Sequence, residues 1–124
     1  MANHSKTKGK VVLIPFPFDD LSMTKVRPAV CLTNPIGTYE HILLAFITSR
    51  LPTDILPTDI ILDQAHPDFV SSGLRKTSTL RLHYLMTART SLILRELGSM
   101  SEATQADIAQ CLCHLVTSEE RAIK

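Results

Sequence analysis

Two arginines, a histidine and several hydroxyls are the side chains of this 124-residue chain whose types suit joint chemistry. Arg27 is followed by Pro28, Thr48-Ser49 close an apolar run, and Ser78, Arg81 and His83 fall in one alternating stretch. A guanidinium is planar and permanently charged, and it offers a fork of N–H donors to an oxyanion. Histidine exchanges protons near neutral pH, its reference pKa being about 6.5. Hydroxyls orient a phosphate by hydrogen bonding. Such a set can stabilise charge building up on phosphate oxygens while a proton moves. Each member also has an ordinary reading: a solvated loop arginine for Arg27, a β-branched strand residue for Thr48, a half-exposed strand histidine for His83.

Other chemistries find little support. No H-E-x-x-H, Walker A, G-x-G-x-x-G or C-x-x-C occurs. Asp59 and Asp63, on a strand and its exit, do not converge as a metal pair. His41, His66 and His114 lack partners at ligand spacing. The three cysteines have no framework spacing: Cys31 reads as a small core residue, and Cys111 and Cys113 diverge on a helix. The sequence predicts no cofactor and no metal.

Composition predicts one domain over residues 1–124, large enough to bury roughly two-thirds of its unfolded surface. The hydrophobic fraction is 44%. No apolar run reaches the roughly 18 residues of a membrane span, and MANHSKTKGK lacks the apolar stretch of a signal peptide. The expectation is a cytoplasmic protein without a membrane partner. The net charge of +1 hides an uneven distribution. Residues 1–100 carry eleven Lys/Arg against eight Asp/Glu, and residues 101–124 two against four. Lys6, Lys8 and Lys10, and again Arg75, Lys76 and Arg81, form basic clusters suited to phosphates.

The elements that must hold these residues are mostly strands. Val11–Ile14 is continuously apolar, as in a strand buried on both faces. Pro15 and Pro17 donate no ladder hydrogen bond, so that end lies at a sheet edge or leaves the sheet. Asp19, Asp20, Ser22 and Thr24 suit a loop, and Arg27-Pro28 stands where the loop re-enters a strand running to Leu32. Pro28 limits where the Arg27 guanidinium points. His41–Thr48 is a third strand. LPTDI occurs twice in succession over residues 51–60; the first copy reads as surface loop, the second leads into a strand at Ile60–Leu62, and no function attaches to the repeat. Over Lys76–Met86 a period of two puts Arg81 and His83 on one face. A helical turn over Thr87–Leu92 and a short strand over Ile93–Leu97 follow. The C-terminal helix spans 101–117, capped by Ser99 or Ser101, with Ser99-x-x-Glu102 fitting a capping box and Ile108, Leu112, Leu115 and Val116 forming its packed stripe. Residues 1–8 read as a flexible tail. The sum is a mainly β, small, partly open, SH3-like barrel with a C-terminal helix.

The stretch GKVVLIPFPFDDLSMTKVRPAVCLTN, residues 9–34, resembles the opening of the MazF/PemK family, the toxin halves of bacterial toxin–antitoxin pairs. The family shows a G-x-V-x-x-V/I-P-F strand, a polar loop, an R-P pair and a second strand. Phe46-Ile47-Thr48-Ser49, Ser72-Gly73-Leu74, Ser78 through Thr87, and Leu97-Gly98 resemble further pieces of its PemK-like branch, in the right order from residue 9 to about 100. The fold the resemblance implies is the CcdB–MazF type of barrel.

The resemblance implies a metal-independent endoribonuclease acting on single-stranded mRNA, as the toxin of a type II toxin–antitoxin system. The RNA 2′-hydroxyl attacks the adjacent phosphate, leaving a 2′,3′-cyclic phosphate and a 5′-hydroxyl. Arg27, Thr48, Arg81 and His83 are the implied catalytic residues; Asp19, Asp20, Lys25, Ser49, Lys76 and Ser78 are the implied substrate contacts. His83 stands where the branch carries an acidic residue. The implied partners are a small acidic antitoxin, a second copy of the chain in a homodimer, and operator DNA only through the antitoxin complex. The competing readings are a non-catalytic toxin of the CcdB type, which binds DNA or gyrase, and a degenerate, inactive member.

Overall fold

The computed structural model describes residues 6–17 and 24–118. Its elements are β1 (Lys10–Pro17), β2 (Thr24–Cys31), β3 (His41–Thr48), β4 (Asp59–Leu62), β5 (Ser78–Arg89), a 3-10 turn (Thr90–Leu92), β6 (Arg95–Ser99) and α1 (Glu102–Thr117). The strands form one antiparallel sheet in the order β4-β5-β3-β2-β1-β6, curled into a half-barrel. All six expected strands are present, and β3 agrees at both ends, but β2 already begins at Thr24, β5 runs on to Arg89 and leaves only Thr90–Leu92 for the helical turn, and β6 is Arg95–Ser99 instead of Ile93–Leu97.

Side chains alternate between the two faces of a strand, and both faces here are packed. Val11, Val30, Ala45, Ile47, Leu62, Leu80 and Leu82 meet Met100 and Ile108, so one face is covered by α1. Val12, Ile14, Ala29, Cys31, Ile42, Leu44, Phe46 and Ala88 make the second cluster, on the other face. Val11 thus serves one core and Val12 and Ile14 the other, which explains the unbroken apolar run. Burial pushes the Cys31 thiol up to about 12, leaving it neutral in the second cluster.

Proline decides where the ladders stop. β1 pairs with β6 only as far as Leu13↔Arg95, so Pro15 and Pro17 lie on a stretch open on that side, as expected of residues without a donor. The β2–β3 ladder covers only Ala29↔Phe46, Val30↔Ala45 and Cys31↔Leu44. Pro28, the next residue, has no N–H to extend it.

Two glycines fix the packing of the segment before β5. A Cβ at Gly98 would collide with the Ser71 and Ser72 backbone, and one at Gly73, whose φ is +77°, with the Leu97 backbone. The Ser99 N–H donates to the Ser71 carbonyl at 2.9 Å. The G-L and L-G pieces of the family pattern are therefore two sides of one close backbone contact.

Three expectations are corrected. The tail does not extend to residue 8: Thr7 is 4% exposed, its N–H donates to Asn34 Oδ1 at 3.0 Å and its hydroxyl to the Thr33 carbonyl at 2.7 Å. Ser99 ends β6, and Ser101 is the N-cap, its Oγ accepting the Thr104 N–H at 3.3 Å; the capping-box spacing is a coincidence of sequence. Val116 is 77% exposed and falls outside the packed stripe, which runs through Ile108, Cys111 and Leu112.

Candidate active site

Register puts the candidate residues on one face. Arg27 pairs with Ile14 and Lys25 with Phe16, so both point to the face of the second cluster, where directly opposed residues lie side by side. Arg27 therefore belongs to the body of β2, half-buried, and not to the exit of the loop. On β3, Thr48 is two residues beyond Phe46 and shares its face. Thr48 pairs with Thr79 on β5, and Arg81 follows two residues on, opposite Asp59 of β4. Arg27 and Thr48 each lie two residues past the last β2–β3 pair, Ala29↔Phe46. The site thus forms where β2 and β3 part. Phe16 and Phe46, with ring centroids 3.8 Å apart, close its apolar side.

Arg81 is held firmly. Its Nε donates to Asp59 Oδ1 at 3.1 Å and its Nη2 to Asp59 Oδ2 at 3.0 Å. Nη2 also donates to the Asp54 carbonyl at 3.1 Å. The Asp59 side chain is 0% exposed and that of Arg81 12%. The hydrogen bonds that Arg81 donates to Asp59 hold the guanidinium's pKa above its ordinary value, against the opposing effect of burial. Two of its three nitrogens are engaged by carboxylate and carbonyl oxygens.

The hydroxyls divide. Thr48 Oγ1 accepts the Arg50 N–H at 3.1 Å and keeps its own proton to donate. Thr79, the strand neighbour of Thr48, is fully buried, and its Oγ1 has no hydrogen-bond partner among the described residues, an arrangement that costs free energy unless a further group completes it. Ser78 pairs with Leu62 on the α1 side of the sheet and donates to the Lys76 carbonyl at 2.8 Å. It is turned away from Arg27, Thr48 and Arg81. Ser49, Lys25 and Lys76 are exposed. Asp19 and Asp20 lie outside the described residues.

His83 is exposed, its ring centroid 4.5 Å from that of Tyr84. Between Ile47↔Leu80 and Ala45↔Leu85, β3 advances two residues while β5 advances five. Leu80 and Leu82 belong to the α1-side cluster, whereas Met86 and Ala88 belong with the second, so the alternation shifts between Leu82 and Met86, the stretch that holds His83. Among the described residues no three His, Cys, Asp or Glu side chains are grouped to hold a metal ion, and no helix is long and apolar enough to cross a membrane.

Sequence reading missed Asp59, Asp54, Thr79 and the Phe16–Phe46 pair. The repeat carried the signal for the aspartates: they hold the same place in its two copies.

A family model described as PemK-like, MazF-like toxin of type II toxin-antitoxin system matches residues 7–116. The chain belongs to this family. As a MazF/PemK-like toxin it falls in a group whose members are generally endoribonucleases. Solved structures agree on the fold. The Mycobacterium tuberculosis toxin MazF-mt6 superposes with a TM-score of 0.65 at 16% identity, covering 86% of this chain and 95% of that one. A MazE–MazF structure from Deinococcus radiodurans gives 0.68 at 16% identity, with 94% and 100% covered. An endoribonuclease in complex with its cognate antitoxin, from a mycobacterial species, gives 0.65 at 17%, with 94% and 99% covered. No curated protein matches the sequence. The fold and family expected from the sequence are both borne out.

Proposed function

We propose that this MazF/PemK-like toxin is a metal-independent endoribonuclease that cuts single-stranded mRNA at the face holding Arg27, Thr48 and Arg81. The observation that carries the reading is the register that sets Arg27, Thr48 and Arg81 on one face of the sheet, around the point where β2 and β3 part. Phosphate cleavage by the RNA's own 2′-hydroxyl needs little else. The 2′-oxygen loses its proton as it bonds to phosphorus, and the 5′-oxygen gains one as it leaves. Arg27 and the unengaged edge of Arg81 stabilise the phosphorane oxygens, Thr48 orients the phosphate, and His83 or Arg27 carries the proton. Lys25, Ser49 and Lys76 supply exposed contacts for the strand.

Two partners accompany this reading. The first is a small acidic antitoxin whose extended segment covers the basic face in place of RNA; a related endoribonuclease has been solved with its cognate antitoxin. The second is another copy of the chain, since a homodimer would extend the site into a shared groove. The gyrase-binding alternative has no observation in its favour.

The test is incubation of purified protein with mixed-sequence RNA, with and without EDTA. Cleavage in EDTA that yields 2′,3′-cyclic phosphate ends is expected. Activity lost in chelator and restored by Mg²⁺ or Mn²⁺ would overturn the mechanism, and intact RNA under both conditions would leave a degenerate member.

A further inference from the structure

The tandem LPTDI copies have a structural consequence. Asp54 of the first copy and Asp59 of the second both reach Arg81. Asp59 does so from β4, directly opposite Arg81 in register, through two hydrogen bonds from a fully buried carboxylate. Asp54 does so through its carbonyl, with its exposed carboxylate a loose 4.0 Å from Nη2. Nε and Nη2 are therefore taken, and Nη1 makes no hydrogen bond among the described residues. A planar fork held along one edge has its remaining edge aimed by the same contacts.

We propose that the duplicated segment positions the catalytic arginine: Asp59 fixes the plane of the Arg81 guanidinium, Asp54 closes its Nη2 side, and Nη1 is the edge presented to the scissile phosphate of an RNA. Neither aspartate touches the substrate. The assignment rests on the endoribonuclease reading above. It also gives the two arginines different duties. The charge of Arg81 is balanced by a buried carboxylate, so Arg81 contributes direction more than net attraction.

The experiment measures kcat, KM and the salt dependence of RNA binding for wild type, Asp59→Asn, Arg81→Gln and the double variant, with rates expressed per folded molecule. Asp59→Asn removes a negative charge beside the RNA. It should lower kcat about tenfold or more while KM stays level or falls, and steepen the salt dependence by up to about 0.7 in log–log slope. In the double variant, Asp59→Asn should cost nothing beyond Arg81→Gln, because it acts only through that arginine. If Asp59→Asn melts below the assay temperature, the double variant, which leaves no charge buried alone, carries the comparison. A further tenfold drop relative to Arg81→Gln, or an Asp59→Asn enzyme with wild-type kcat and melting temperature, overturns the proposal. Wild-type protein that cuts no RNA overturns this assignment together with the nuclease reading, an outcome distinct from the other two.

Discussion

Arg27 sits in β2 opposite Ile14, flanked by Pro28 and by the end of the β2–β3 ladder. A half-buried strand arginine packs its stem as well as presenting its charge. Arg27→Ala should therefore cost about 1 kcal/mol of stability, more than a fully exposed site would. The same change should reduce RNA turnover by roughly 10²-fold or more, the scale for losing a contact to transition-state charge. Arg27→Lys should recover only part, because an ammonium does not reproduce a two-pronged contact. Rates on one RNA, measured beside melting temperatures, decide the matter. Equal rates with equal melting temperatures would take Arg27 out of the mechanism.

At the scale of elements, α1 is joined to the rest by a carboxylate. Asp68, 5% exposed, accepts the Ser101 N–H at 2.8 Å and the Ser101 hydroxyl at 2.9 Å at the start of the helix. Burial alone would raise its pKa; hydrogen bonds from Thr104 and from the Ser101 backbone and hydroxyl more than offset that and bring it below the ordinary value. A carboxyl whose folded-state pKa lies below its unfolded value of about 3.9 adds stability above that pH and loses it as pH falls through the folded value. Asp68→Asn should be less stable than wild type by about 1 kcal/mol at pH 7. The gap should close below about pH 4, as read from urea midpoints across that range. A gap that persists unchanged at pH 3 would remove Asp68 as the source. Elements were also what the sequence disclosed best. The apolar runs and the proline and glycine punctuation gave six strands and a helix because burial and donor loss are local matters. The site was legible only in part. Arg27, Thr48 and Arg81 came from a motif, whereas the neighbours of Arg81 depend on which strands lie together, a fact of topology that no window of sequence contains. His83 lies in the stretch of β5 where the pairing with β3 becomes irregular, a feature that looks like continuous alternation in one dimension.

The whole molecule is a curled sheet with one helix, and α1 covers only the Val11–Ile108 cluster. Val26, Tyr84 and Leu85 remain 41–56% exposed. A homodimer is the expected solution state, read as twice 13.8 kDa by light scattering at micromolar concentration; a stable species of 13.8 kDa would count against it. Co-expression offers the matching check on the antitoxin. A small acidic protein from the neighbouring reading frame should bind this chain and stop RNA cleavage, and a neighbour that binds without affecting cleavage would separate the two roles.

The short β2–β3 ladder implies a difference in time scale across the sheet. Thr24 to Pro28 lie beyond the end of the β2–β3 ladder, and within the sheet they pair with Pro17 to Leu13 of β1. Opening that corner frays the end of one ladder, whereas opening β3 from β5 breaks a ladder reaching from His41 to Thr48. Amide protons at Val26 and Arg27 should thus exchange with solvent well before those of Leu43–Ala45, through local fluctuation instead of global unfolding. Because Arg27 rides on the corner that breathes, heating should silence RNA cutting several degrees before the fold melts. Coincident loss of activity and structure would mean that the corner is as rigid as the rest.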